Sequence, residues 1–249
     1  MTIDERIRGE RMPSTAEKVA ERLREEMLCG ALPQGARLRE VALSESMRVS
    51  RRTVREALLI LAEQRLVSHE RHRGAVVRTL SRADVADLYQ VRRTLELQGA
   101  RNAPFAAERE RNALGAAYER LREALLGGDS RATVHCDLAF HGAVVGLVAS
   151  PRLDAFYEQV SSEMEMALMM IRGGEERRGL SAEQFISEHR TIHDLLLARD
   201  VVEAQRAILA HIDLNEHFLL SLIDGGSAGD DHDSTDGGRA DMIQGSAHY

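Results

Sequence analysis

Apolar residues in this chain recur three and four positions apart over most of its length, the spacing that lines one face of an α-helix. The first such stripe is Ala16, Val19, Leu23 and Met27. Ser14 precedes it and Glu17 follows three residues later, a pairing that satisfies free N–H groups at a helix start. Gly30, which reaches the left-handed conformation without strain, ends the helix, and residues 31–35 read as a turn. A short helix fits residues 40–47, with Val41, Leu43 and Met47 turned inward. Ser50 then caps a third helix with the buried stripe Val54, Ala57, Leu58 and Leu61. Beyond it, residues 66–70 and 75–78 read as two short strands joined by Arg71-His72-Arg73-Gly74. Three helices followed by a basic hairpin make a winged helix-turn-helix over residues 1–80.

The helical period returns at Ser81, with Asp84 three residues on. Six helices are expected at approximately 83–102, 104–126, 129–148, 152–171, 182–199 and 201–223. The breaks fall at Pro104, Gly127-Gly128, Pro151, Gly173-Gly174 and Asp200. An antiparallel bundle over residues 81–224 is the natural architecture for such a run. Residues 225–249, rich in Gly, Ser and Asp, are expected to be a disordered tail. The fold class is therefore mainly α: an N-terminal winged helix-turn-helix plus a C-terminal six-helix antiparallel bundle.

Composition agrees. Aromatics make up only 4% of the 249 residues and Trp is absent, which disfavours a sheet-rich fold. Two cysteines, Cys29 and Cys136, are too few for a disulfide framework and fit a reducing compartment. No apolar run approaches the roughly 20 residues of a membrane span, and residues 1–13 lack a signal-peptide core. The expectation is a cytoplasmic protein with no membrane partner. Charge alters the picture further, because the net −7 is unevenly shared. Residues 1–80 carry 16 Lys and Arg against 12 Asp and Glu, while the remainder carries 17 against 28. A basic module joined to an acidic one suggests that only the first meets a polyanion. Arg51, Arg52 and Arg55 crowd the start of the third helix, where the macrodipole favours acids. Double-stranded DNA explains them, since arginine pairs bidentately with phosphate and with guanine edges.

Polar residues interrupt the bundle's core stripes. Asp137 and His141 lie in the third predicted bundle helix between Val134 and Val144. His189 interrupts Phe185, Ile186 and Ile192 in the fifth, and His211 interrupts Ala204, Ile208, Leu214 and Phe218 in the sixth. Buried carboxylates and imidazoles must satisfy one another or share an ion. Three imidazoles and one carboxylate suit a divalent metal, zinc first, with nickel or manganese as alternatives. Mutual hydrogen bonding without a metal remains the other reading of the residues. His193, one turn after His189, is placed on the surface in preference to beside the ligands. In the first bundle helix, Tyr89 and Arg92 face inward with Glu96, which allows a structural Arg92–Glu96 ion pair. An arginine and a metal ion lining one cavity would suit a small carboxylate effector.

Residues 33–77, from PQGARLREVALSES through VSRRTVREALLIL to a wing containing Gly74, resemble the DNA-binding domain of the GntR family of bacterial transcription regulators. Residues 83–223 resemble the helical effector domain of its FadR-type branch. They carry Asp-x-x-Phe-His at 137–141, Glu-His-x-x-Ile at 188–192, Ala-His-Ile at 210–212 and V-R-x-x-L-E at 91–96. The resemblance implies that Arg51, Thr53 and Arg55 contact the operator and that Gly74 lets the wing approach the groove. Ser50, Arg52, Arg71 and Arg73 complete the expected DNA-binding set. Val41 departs from the pattern, standing where some members carry a DNA-contacting arginine. The resemblance also implies metal held by Asp137, His141, His189 and His211, with Arg92 facing the effector. The reading is a ligand-responsive regulator, more a repressor than an activator, acting as a homodimer on a palindromic operator. The rival is a metal-dependent hydrolase using the three-His, one-Asp site. Against it, the sequence has no H-E-x-x-H and no general base paired with the ligands.

Overall fold

The computed structural model describes residues 12–178 and 181–227. Residues 1–11 of the expected first domain, and 228–249 of the expected tail, lie outside the described residues. α1 (Thr15–Leu28) starts on the reciprocal cap that the sequence implies: the Glu17 amide donates to Ser14 Oγ at 3.1 Å, and the Ser14 amide donates to Glu17 at 2.6 Å. α2 (Glu40–Met47) is separated from α3 (Arg51–Glu63) by Arg48 in the left-handed conformation. β1 (Val67–Glu70) pairs antiparallel with β2 (Gly74–Val77), Val67 opposite Val77 and Glu70 opposite Gly74. Leu23 of α1, Val54, Leu58 and Leu61 of α3, and Val67 and Val77 of the hairpin are all buried, in a core that continues into the helices that follow.

α2 corrects one expectation. It has no fully buried residue, and Val41 is 49% exposed, whereas Leu43 and Met47 pack partly against the core as expected. With Leu43 and Met47 four apart on the inner side, Val41 falls about 160° round the helix from Leu43, towards solvent.

The six bundle helices follow: α4 (Arg82–Asn102), α5 (Glu108–Gly127), α6 (Ser130–Gly146), α7 (Pro151–Arg178), α8 (Ala182–Leu197) and α9 (Val201–Ser227). A single 3-10 turn at Ala103–Phe105 bends the chain between α4 and α5. α4 packs on α6 and α9, α6 on α5 and α7, and α8 on α5 and α9. Gly99 permits the crossing of α4 with α6, since a Cβ there would lie 2.1 Å from the Val144 carbonyl oxygen. This near-contact of backbones brings the C-terminal parts of α4 and α6 together.

Several helix limits differ from expectation, and α5 starts at Glu108 rather than at 104 because the 3-10 turn intervenes. α7 runs through Gly173-Gly174 to Arg178, because glycine costs about 1 kcal/mol in a helix interior without forbidding one. α9 runs to Ser227, so the expected tail begins at least three residues later than Gly225. α9 is also rotated from its predicted phase. Leu214 is 41% exposed, and the buried face reads Ala204, Ile208, His211, Ile212, Asn215 and Leu219.

Candidate functional site

The start of α3 is built by Ser50, whose Oγ accepts from the Thr53 amide at 3.1 Å and lies 2.8 Å from the Thr53 hydroxyl. Capping sets the phase of the helix: Val54, Ala57, Leu58 and Leu61 point into the core, and Arg51, Arg52 and Arg55 point out. Arg55 Nε donates to Glu40 Oε2 at 2.7 Å, Arg51 lies 3.7 Å from the same oxygen, and Arg52 Nε donates to Glu56 at 2.9 Å. The three arginine side chains remain 59%, 88% and 60% exposed, in chain order. The exposed Arg52–Glu56 pair contributes little to stability, so phosphate can displace it.

The wing turns at Arg71–Arg73, all exposed, with His72 and Gly74 both in the left-handed region at φ 67° and 76°. Arg37 steadies this turn by donating to the Arg73 carbonyl at 3.2 Å, and Arg73 donates to Glu70 at 2.6 Å. Residues 37–40 thus touch both basic elements, Arg37 at the wing and Glu40 at the α3 arginines.

Inside the bundle, α6 supplies Asp137 and His141, α8 supplies His189 and α9 supplies His211. All four are buried, and one ligand atom from each lies within 4.8 Å of the others. Every imidazole presents its Nδ1 to an acceptor: His141 to Glu96 Oε2 at 2.7 Å, His189 to the Phe185 carbonyl at 2.8 Å, and His211 to Glu188 Oε2 at 3.2 Å. Such partners keep the proton on Nδ1 and leave a lone pair on Nε2, which in His211 accepts from Asn215 Nδ2 at 3.0 Å. His189 Nε2 is 2.9 Å from Asp137 Oδ1, and His141 Nε2, 3.8 Å from the same oxygen, is buried without a hydrogen-bond partner. Lone pairs facing a carboxylate repel unless a proton or a cation lies between them. The N3O donor set therefore fits a first-row divalent ion.

Electrostatics prepare the ligands. Burial pushes His141 below the ordinary histidine value, with the Arg92 charge acting the same way and Glu96 and Asp137 opposing. Burial likewise lowers His211 to about 4, against the hydrogen bond to Glu188. Both rings are thus neutral donors at neutral pH. Burial works to raise Asp137, but His141, His189 and Arg92 outweigh it and hold the carboxylate well below its usual range.

Tyr89 and Arg92 of α4 lie beside this cluster. Arg92 Nε donates to Glu96 Oε1 at 2.6 Å, while both terminal guanidinium nitrogens and the Tyr89 hydroxyl are buried with no hydrogen-bond partner among the described residues. Burial disfavours the guanidinium charge, but Glu96 and Asp137 keep Arg92 ionised. The two readings of Arg92 are therefore compatible: the ion pair with Glu96 occupies Nε and leaves the terminal nitrogens to an anion. Glu96, itself held down at about 2 by His141 and Arg92 against the effect of burial, joins the Asp and His cluster to the arginine. An open cavity of about 640 Å³ elsewhere, between α1, α6 and α7, is lined by Arg24, His135, Tyr157 and Glu165 and by none of the four candidate ligands.

Three functional neighbours escaped the sequence reading. Glu96 was legible only as a partner for Arg92, and Glu188 only as part of a motif. Asn215 Nδ2, 3.0 Å from His211 Nε2, followed from nothing but its spacing of four from His211. His193 lies apart from the cluster but not on the open surface: it stacks on Tyr118 with ring centres 4.8 Å apart and bonds Asp194 at 2.8 Å.

Comparison with known proteins bears on both sites. Residues 15–77 match the family described as bacterial regulatory proteins, gntR family, and residues 87–214 match the FCD domain. The "Probable D-xylose utilization operon transcriptional repressor" of Paenarthrobacter nicotinovorans is 27% identical over 75% of this chain and 80% of its own length. An HTH-type transcriptional regulator from an unstable DNA locus of Streptomyces ambofaciens is 30% identical over 77% of this chain and 79% of its own. The crystal structure of a GntR transcriptional regulator from Rhodococcus sp. RHA1 superposes with a TM-score of 0.71 at 28% identity, covering 84% of this chain and 99% of that one.

Proposed function

The chain belongs to the gntR family of bacterial regulatory proteins, with an FCD domain after its winged helix, and from that premise we propose a repressor released by a small organic acid. It is a ligand-responsive transcription regulator, not an enzyme, and its relatives lend no support to a metallohydrolase. Ser50, Arg51, Arg52, Thr53 and Arg55 enter the major groove of a palindromic operator, and Arg71, Arg73 and Gly74 of the wing meet its backbone. Two copies of the chain read the two half-sites as a cytoplasmic homodimer.

Asp137, His141, His189 and His211 hold a divalent ion, zinc by preference for an N3O set. The ion supplies a fixed positive charge to which an effector carboxylate can bind. The single observation that carries the effector reading is the Arg92 guanidinium, ionised and buried with two terminal nitrogens lacking a partner. Leaving such donors unpaired costs about 1–3 kcal/mol each, which an anion would restore. Tyr89 offers its hydroxyl to the same anion. Binding that favours the DNA-free arrangement by about 1–3 kcal/mol is enough for release.

The experiment pairs a DNA titration with an effector screen. Duplexes from the region upstream of the gene are bound by the full-length protein and challenged with short mono- and dicarboxylic acids. Arg55→Ala is expected to weaken operator binding by about 1–3 kcal/mol, roughly ten- to hundred-fold, with an unchanged helical signal. Unchanged affinity at matched salt would remove the recognition helix from the interface.

A further inference from the structure

We propose that Glu40, the first residue of α2, is a positioning residue that sets sequence discrimination by holding Arg55 and Arg51 for base reading. The inference rests on the operator-binding reading above. One oxygen, Oε2, accepts from Arg55 Nε at 2.7 Å and lies 3.7 Å from a terminal nitrogen of Arg51. The contact bridges two helices, and the Glu40 side chain is 31% exposed, less than either arginine it meets. Arg52, by contrast, pairs with Glu56 of its own helix and is 88% exposed.

Two physical consequences follow. Occupying Nε leaves the two terminal nitrogens of Arg55 free of hydrogen bonds to the described residues, and a terminal pair can make the bidentate contact to guanine O6 and N7. An arginine ordered before DNA arrives also forfeits less rotamer entropy on binding. Meanwhile the Glu40 carboxylate opposes the phosphate backbone of any duplex. Arg55 and Arg51 are therefore weaker generic phosphate ligands than two free arginines, and only a sequence offering base contacts repays the approach. Val41 adds no cation at the next position, and its side chain is 49% exposed. Discrimination by the helix start thus depends more heavily on the two arginines that Glu40 holds.

The test uses duplexes enriched by the full-length wild-type chain from a randomised library as the specific probe. A shuffled duplex of equal composition is the non-specific one, and both are titrated through a salt series. Glu40→Ala should lower the ratio of specific to non-specific affinity about ten-fold, a change within the range of one lost base contact. Non-specific binding should strengthen, and its salt slope should steepen by about 0.9 as one arginine turns to phosphate. Glu40→Gln, which keeps an acceptor oxygen but not the charge, should recover part of the ratio. A Glu40→Ala ratio within two-fold of wild type, or equal losses on both probes, overturns the inference and leaves the operator reading standing. If Glu40→Ala loses its helical circular dichroism, Glu40→Gln decides, and an unchanged ratio there overturns the proposal. A wild-type chain that enriches no sequence overturns both readings.

Discussion

At Glu96 two demands meet: one carboxylate oxygen takes the Arg92 Nε proton and the other takes the His141 Nδ1 proton. The residue sets the tautomer of a proposed metal ligand and anchors the group proposed to receive the effector. Arg92→Leu is therefore expected to preserve bound metal and basal operator affinity while abolishing effector-driven release, read as loss of the ligand's effect on DNA titrations. Loss of metal by this variant would show that Arg92 serves the ion instead. His189→Ala combined with His211→Ala removes two of the four donors and should leave less than about a tenth of the bound metal by elemental analysis, as ligand loss predicts. The imidazoles also impose a pH dependence on the chelated protein. His211 is lowered in the folded state from 6.5 to about 4, so the unfolded chain binds the extra proton first. The stabilisation is fully present above pH 6.5 and is lost as the pH falls from there towards 4. It amounts to about 3 kcal/mol at 1.4 kcal/mol per unit, and His141 adds to it in the same direction. Denaturant unfolding of metal-free protein at pH 8 and at pH 4.5 measures the difference, and equal midpoints would contradict it.

At the scale of elements, the site depends on how closely α4 approaches α6. Gly99 makes that possible, and a methyl group there meets the Val144 carbonyl at 2.1 Å with backbone, which cannot step aside. Gly99→Ala should therefore cost about 1–3 kcal/mol or more through overpacking, despite alanine's better helix propensity. It should also reduce metal affinity, because Glu96 would be pushed from His141. Thermal unfolding with and without added zinc separates the two effects. Caps reinforce the elements locally: Ser14, Ser81 and Ser181 each form a reciprocal pair with the residue three positions on.

Across the whole molecule, the wing domain is tied to the bundle by a knot of charges. Arg78, just after β2, donates to Glu163 of α7 and to Asp84 of α4, and Arg65 lies 3.7 Å from Glu163. Glu163 is 4% exposed, and α1 also packs on α7. α7 further carries Tyr157, which packs against Leu95 of α4 and Val145 of α6 and donates its hydroxyl to the Leu138 carbonyl at 3.2 Å. One helix thus borders both the effector region and the DNA-reading domain. Glu163→Gln is expected to leave effector binding intact while reducing its effect on operator affinity several-fold, about 1 kcal/mol of coupling. Calorimetry of effector binding beside DNA titration checks it, and undiminished coupling would exclude this junction as the route.

Sequence alone determined the parts whose cause is local. Helix period, caps and turn residues located α1, α3, the wing and the six bundle helices, since amphipathic spacing and capping act within a few residues. The same spacing singled out Asp137, His141, His189 and His211, because ligand-type side chains on otherwise apolar faces stand out without knowledge of the partner. Only the tertiary structure decided which polar groups share a space. The exposed Leu214 and the buried Asn215 reversed the hydropathy pattern of α9, as burial there is set by hydrogen bonding to His211 rather than by apolarity. Glu96 linking His141 to Arg92 and Glu40 holding Arg55 are likewise contacts between distant elements. Their energies depend on distance and desolvation in three dimensions, quantities that no local pattern encodes.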